Sequence, residues 1–261
     1  MDPTAYLSRL AYTGRLVPDR QTLADLQLAH LTAVQFENLD IHWRRPIQLA
    51  LPDLYAKIVR QRRGGFCYEL NGLFAWLLAS LGFNVLLLSA RVYGDNGPGP
   101  EFDHLTLLVQ LEEPWLADVG FGDCFLRPLP LRIREEQTQA NGRYRLLADG
   151  ADMTLWRRQP DQEWTPQEWG PQYRFSTRPR QLSDFAAMCH YHQTSPHSSF
   201  TRRRVCSRVT PDGRITLTDS QLIITHAGTR HETEVAGEAA FAALLWQQFG
   251  IHAPEQPEQS S

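Results

Sequence analysis

The stretch "RRGGFCYELNGLF", Arg62 to Phe74, sets a cysteine between a glycine pair and an apolar run. A thiol at that place has two readings. Free cysteine is among the most buried residue types, so Cys67 can be ordinary core. It can also be a nucleophile at the first turn of a helix. Unpaired N–H groups and the positive dipole end would then favour the thiolate, and the same N–H groups could stabilise an oxyanion. Gly64 and Gly65 would let the backbone turn sharply and let a substrate come close. A nucleophilic cysteine needs a base, and the base needs an acceptor that orients it. His104 opens an apolar segment after a glycine-rich loop, and Asp118 follows in "LADVGFG". Spacing permits their contact without requiring it, because a tight hairpin leaves them about two to five residues out of register.

The elements that would carry these residues change character along the chain. "TLADLQLAHLTAVQF" and "LPDLYAKIVRQRR" read as helices, the second with a proline near its first turn and a basic end before Gly64. In "CYELNGLFAWLLASLGF", Leu70, Leu73, Phe74, Leu77, Leu78 and Leu81 fall at helical spacing. That predicts a helix starting near Cys67 and stopping at Gly82. From Asn84 strands take over: "NVLLLSARVY", the loop "GDNGPGPEFD", then "HLTLLVQLEEPWLADVGF" as two strands turning at Glu112–Pro114. "RYRLL", "MTLWRRQ" and "QYRFS" are short strands. "SDFAAMCHYHQ" reads as a short helix capped by Ser183. "VCSRVTPDGRITLTDSQLIITHAG" is a hairpin series, "EAAFAALLWQQF" a closing helix, and the tail "PEQPEQSS" is expected to be disordered. Helices, then antiparallel strands, then a mixed segment indicate α+β, not an alternating parallel sheet. The order of Cys on a helix, then His and an acceptor on strands, is papain-like, with Asp118 in place of Asn.

Bulk properties exclude several classes. The 261 residues can bury a substantial core. A net charge of −3 gives nucleic-acid binding no electrostatic support. Arg202, Arg203 and Arg204 form one basic run, read as solvated surface or as a contact for a phosphate-bearing cofactor. The four cysteines, Cys67, Cys124, Cys189 and Cys206, form no C-x-x-C pair. That argues against a zinc ribbon and a disulfide scaffold. The start "MDPTAYLSRLAY" lacks a signal-peptide layout and no apolar stretch is long enough for a membrane span, so a cytoplasmic location is expected. The sequence sets no oligomeric state.

"RGGFCYELNGLF", preceded by "FENLDI" (Phe36 to Ile41) and followed by "HLTLLV", "DVGFG" and "SPHSSFT", resembles the arylamine N-acetyltransferase family, in its bacterial form. The similarity runs over most of the chain. It implies a papain-like cysteine-enzyme fold: a helical bundle over residues 1–83, an antiparallel β-barrel over 84–190 and an α/β lid over 191–261. It places the catalytic residues at Cys67, His104 and Asp118. It implies transfer of an acetyl group from acetyl-CoA, through acetyl-Cys67, to an arylamine, arylhydrazine or hydrazide, with no metal. Phe36, Phe121, Phe125 and Phe200 match aromatic substrate-pocket positions, and Gly120 and Gly122 would let the acyl donor or the ring approach the backbone. Without the resemblance, each phenylalanine reads as core and each glycine as a turn or bulge. Glu101 and Asp103 depart from the family pattern, which the resemblance implies has small or hydroxyl-bearing residues there, near the cofactor; carboxylates would repel a pyrophosphate or else point to solvent. Arg62 and Arg63 are read as bracing the Cys loop or as a solvated helix end.

Three other readings compete. A cysteine hydrolase or transglutaminase-like protein would use the same triad but lacks the full "RGGFCYELNG" context. A metal module in "CHYHQTSPH" would draw on Cys189, His190, His192 and His197, at a spacing that fits no standard zinc pattern. Otherwise those histidines read as surface or pocket rim. A catalytically dead binding protein is opposed by the intact Cys, His and Asp.

Overall fold

The computed structural model describes residues 1–132, 135–159 and 168–254. Helices come first: α1 (Pro3–Arg9), α2 (Arg20–Ala33), α3 (Leu39–His42), α4 (Leu51–Tyr55), which widens into one π-helical turn over Ala56–Arg60, and α5 (Cys67–Ser80). The short strand β1 (Phe36–Glu37) interrupts them. The helix expected to reach Phe36 ends at Ala33, because Val34 and Phe36 leave for β1. The predicted start of α5 at Cys67 and its stop at Gly82 agree with the structure.

The strands β2 (Asn84–Gly94), β3 (Gly97–Pro98), β4 (His104–Gln110), β5 (Pro114–Ala117), β6 (Leu129–Pro130), β7 (Gln137–Gln139), β8 (Gly142–Asp149), β9 (Asp152–Arg158) and β10 (Gly170–Arg180) form one antiparallel sheet. Its order is β6-β5-β4-β2-β10-β9-β8-β7, with β3 beside β2. The sheet curls into a nearly closed barrel. At the seam the Gln139 side chain accepts from the N–H groups of Leu126 (2.8 Å) and Arg127 (3.0 Å) and donates to the Arg127 carbonyl (2.9 Å). That satisfies edge groups which no ladder reaches.

A 3₁₀ turn at Leu182–Phe185 leads into α6 (Ala186–Thr194), then α7 (Ser199–Arg202). The cap is Gln181, not Ser183: the Gln181 N–H donates to Asp184 Oδ2 at 2.8 Å. β11 (Val205–Thr210), β12 (Gly213–Thr218), β13 (Gln221–His226) and β14 (Thr229–Glu234) follow, then α8 (Gly237–Phe249). These four strands and β1 make a second sheet in the order β1-β11-β12-β13-β14. Of the tail expected to be disordered, all but Pro254 lies outside the described residues.

Among the described residues three buried clusters hold the molecule. One packs α1, α2, α4 and α5 against Leu105, Leu107 and Val109. The second fills the barrel with Leu108, Leu116, Phe125, Leu146, Leu155 and Phe175. The third seats α8 on the second sheet. β4 is therefore buried on both faces, one toward α5 and one toward the barrel interior. Among the described residues no helix is long and apolar enough to cross a membrane.

Candidate active site

The register of β4 on β5 decides the first contact. Leu107 faces Ala117, so Asp118 follows opposite Thr106, and His104 lies two residues further on the same face. Such diagonal neighbours are within reach of an aromatic side chain. His104 Nε2 stands 2.7 Å from Asp118 Oδ2, and both residues are buried. The Tyr173 hydroxyl also donates to Oδ2, at 3.1 Å. Asn71 Nδ2 and the Gly120 N–H donate to Oδ1, each at 2.9 Å. Asn71 Oδ1 accepts the Val119 N–H, and Gln27 Oε1 accepts the Asp118 N–H. Burial alone would raise the Asp118 carboxyl, but His104, Asn71 and the Gly120 N–H together hold it below its ordinary value. Tyr173 is pushed up by burial and by the Asp118 charge, so it remains a donor.

Cys67 begins α5 and is buried. It shares its buried cluster with Leu105, the residue after His104. A Cβ added at Gly120 would stand 2.8 Å from Cys67 Cα and 2.9 Å from its carbonyl oxygen, so the turn after Asp118 lies directly on the cysteine backbone. Burial pushes the Cys67 thiol well above its ordinary value, and the Leu105 N–H opposes this only in part. The helix N-terminus therefore does not by itself supply a thiolate, contrary to the sequence expectation. Deprotonation needs a base.

The glycine pair also differs from expectation. A Cβ at Gly64 would stand 2.0 Å from the Gln35 carbonyl oxygen, and one at Gly65 would stand 2.6 Å from a Glu69 carboxylate oxygen. These glycines admit β1 and Glu69, not a substrate. Behind them lies a buried ionic cluster. Arg63 bonds Glu37 and Asp40, and Lys57 bonds Asp40 and Glu69, both at 2.7 Å. Glu69 in turn accepts the N–H of Phe66, the residue before Cys67, at 3.1 Å. Arg63 thus braces the Cys loop, while Arg62 is exposed and its carbonyl accepts from Arg9. Arg204 is not a solvated charge: it bonds Asp219 and Glu238 and lies 3.9 Å from the Phe241 ring centroid.

The aromatic candidates fall into separate groups. Phe200 lies 5.6 Å from Phe66 and 6.3 Å from Phe36, and the Phe36 ring rests against Gly122. Phe121 lies 5.1 Å from both His104 and Tyr173. Phe125 joins neither group. It is fully buried in the barrel core, edge-on to Tyr144 at 6.0 Å. In "CHYHQTSPH", Cys189 accepts from Gln193, His190 is exposed and His192 faces Asp103.

Sequence reasoning missed Asn71, Gln27 and Tyr173. Asn71 and Gln27 had a signal, each being an amide on an otherwise apolar helix face. Tyr173 had none, since it reaches Asp118 from 55 residues away through the β2–β10 ladder.

The family profile described as N-acetyltransferase matches residues 19–256. The arylamine N-acetyltransferase of Escherichia coli K12 is 37% identical over 94% of this chain and 87% of its own length. The arylamine N-acetyltransferase / N-hydroxyarylamine O-acetyltransferase of Salmonella typhimurium is 38% identical over 95% of this chain and 88% of its own. The solved arylamine N-acetyltransferase of Mycobacterium marinum superposes with a TM-score of 0.88 at 35% identity, covering 96% of this chain and 93% of that one. The same enzyme has been solved in complex with CoA, and that structure superposes at 0.87. The protein is thus an acyltransferase of α+β fold. It belongs to the arylamine N-acetyltransferase family.

Proposed function

We propose that the protein moves an acetyl group from acetyl-CoA to the nitrogen of an arylamine, arylhydrazine or hydrazide, by way of acetyl-Cys67. The observation that supports this most is the buried 2.7 Å His104–Asp118 pair, which Asn71, one turn along the helix that begins at Cys67, joins by donating to Asp118 at 2.9 Å. Asp118 engages Nε2 of His104 and fixes the proton there, leaving Nδ1 as the acceptor. His104 takes the thiol proton as Cys67 attacks the thioester carbonyl. The spare N–H groups at the start of α5 receive the oxyanion. The carbon–sulfur bond to CoA then breaks, and His104 returns the proton to the departing thiolate. In the second half the amine nitrogen attacks acetyl-Cys67, His104 takes the amine proton, and the Cys67 thiolate leaves and is reprotonated.

A thioester intermediate keeps its activation until the amine arrives. The amine must be unprotonated, which anilines and hydrazides are near pH 7 and alkyl amines, with pKa about 10, are not. Residues 1–83 supply the nucleophile and residues 84–190 the base and its acceptor. The domain that begins at residue 191 is assigned to the donor side. Phe121, over His104, and the Phe36–Phe200 group offer flat walls for an aromatic ring. Varying both substrates tests the scheme: parallel double-reciprocal lines are expected, and intersecting lines would contradict it.

A further inference from the structure

α7 is a single turn, Ser199–Arg202, too short to keep its own shape in water. It carries Phe200, whose ring stands against Phe66 and Phe36 and packs on the buried cluster that contains Cys67. Phe200 and Phe36 are only partly buried, so each ring keeps an open face. Where the Phe200 ring sits therefore depends on what satisfies the backbone groups at the two ends of that turn.

The near end is capped locally. Ser198 Oγ accepts the Phe200 N–H at 3.2 Å, and the Thr201 hydroxyl donates to the Ser195 carbonyl at 2.7 Å. Ser198 Oγ also stands 3.1 Å from His192 Nδ1, and His192 Nε2 meets Asp103 at 3.2 Å, so Asp103 faces this side and not solvent. The far end is capped from elsewhere in the chain. Asn38, 1% exposed, donates from Nδ2 to the Phe200 carbonyl at 2.9 Å and to the Arg203 carbonyl at 2.7 Å. Its Oδ1 accepts the Val205 N–H at 2.8 Å. The two amide protons and the amide oxygen thus all go to residues 200–205. Asn38 stands at the N-cap of α3, where an asparagine ordinarily bonds its own helix, yet its side chain makes no such bond. His42 Nε2 adds a second contact to the Phe200 carbonyl, at 2.9 Å. Phe36 lies two residues before Asn38, so one side chain sets the spacing of both rings.

We propose that Asn38 is a positioning residue for the aromatic acceptor: it fixes Phe200 against Phe36, so that an arylamine ring meets a preformed flat wall beside acetyl-Cys67. This rests on an aromatic amine being the acceptor. Asn38 touches neither the acetyl group nor the amine and acts only through Phe200.

The test compares two acceptors, one with a ring and one without. Acetyl-Cys67 is formed with p-nitrophenyl acetate, the ester is removed, and discharge by p-anisidine and by hydrazine is followed by intact-protein mass spectrometry. The ratio of the two second-order rates reads the wall, because a loss of folded protein or of thioester reactivity cancels. Asn38→Asp keeps the size of the side chain and loses both donated bonds, and should lower the ratio about fivefold. Phe200→Leu should lower it by a similar factor, and adding Asn38→Asp to Phe200→Leu should change it by less than about twofold. Asn38→Ser, whose hydroxyl carries one proton for two carbonyls, serves if Asn38→Asp folds poorly and should show the same fall. An unchanged ratio in the Asn38 variants, or a full further fall on top of Phe200→Leu, would overturn the proposal. A wild type discharged by hydrazine but not by p-anisidine would overturn the aromatic-acceptor reading, and the proposal with it.

Discussion

Behind the glycine pair, Glu37, Asp40 and Glu69 share two cations, Lys57 and Arg63, whereas at the barrel end Asp118 stands alone with His104. Both groups are buried beside the Cys67 turn. They differ in what satisfies the carboxylates. Asp118 is held by neutral donors, Asn71, Tyr173 and the Gly120 N–H, besides His104. Those donors stay in place whichever charge His104 carries, which suits a pair that must gain and lose a proton. In the other cluster two cations answer three carboxylates, and further bonds go to backbone: Glu69 to the Phe66 N–H and Glu37 to the Leu39 N–H. On the proposed mechanism one network moves a proton, and the other holds a turn. The first should matter to rate and the second to stability.

The largest break in that comparison is expected at Asp118. Asp118→Asn keeps the shape and loses the charge that orients His104, so kcat should fall about 10³–10⁴-fold with little change in the unfolding temperature. A fall of less than about tenfold would dissolve the distinction. Arg63→Leu should do the opposite. It strands Glu37 and Asp40, and denaturant unfolding should show a loss of about 3–5 kcal/mol. The folded fraction should still acylate Cys67 at close to the wild-type rate.

Tyr173→Phe removes one donor to Asp118 and should lower kcat about tenfold, the equivalent of one hydrogen bond to a charged group. Steady-state rates against the same amine check this. The smallest effect concerns pH. Burial pushes the Glu69 carboxyl up to about 7, Lys57 opposes it, and the Glu37 and Asp40 charges add to the rise. Between its ordinary value and about 7 the folded chain binds a proton that the unfolded chain does not. The contribution is present at low pH and is lost as pH rises through about 7. The wild-type minus Glu69→Gln difference in unfolding temperature should therefore shrink from pH 5 to pH 8 by about the effect of 1–2 kcal/mol. A difference flat across that range would show that Glu69 is ionised throughout.

The sequence shows the parts that depend on local pattern. The α5 periodicity locates the Cys67 turn, and the change at Asn84 from helical spacing to a short apolar run marks the start of the barrel. The pairing of His104 with Asp118 was open because it depends on register, which the β4–β5 turn fixes only in space. Whether Arg63 braces the Cys loop or ends a helix stayed open because its partners Glu37 and Asp40 lie over twenty residues away. β14 was missed because "TRHETE" is exposed at every position and so carries no apolar alternation. Phe125 joined the expected pocket on resemblance, whereas its position in the barrel puts it against Tyr144.

Intact-protein mass spectrometry after mixing with acetyl-CoA, and no amine, tests the central claim most directly. One added acetyl group is expected on the wild type. It should be absent from Cys67→Ala, much slower to form in Asp118→Asn, and discharged by an aniline or a hydrazide. No adduct on the wild type, or an adduct that persists in Cys67→Ala, would contradict transfer through Cys67.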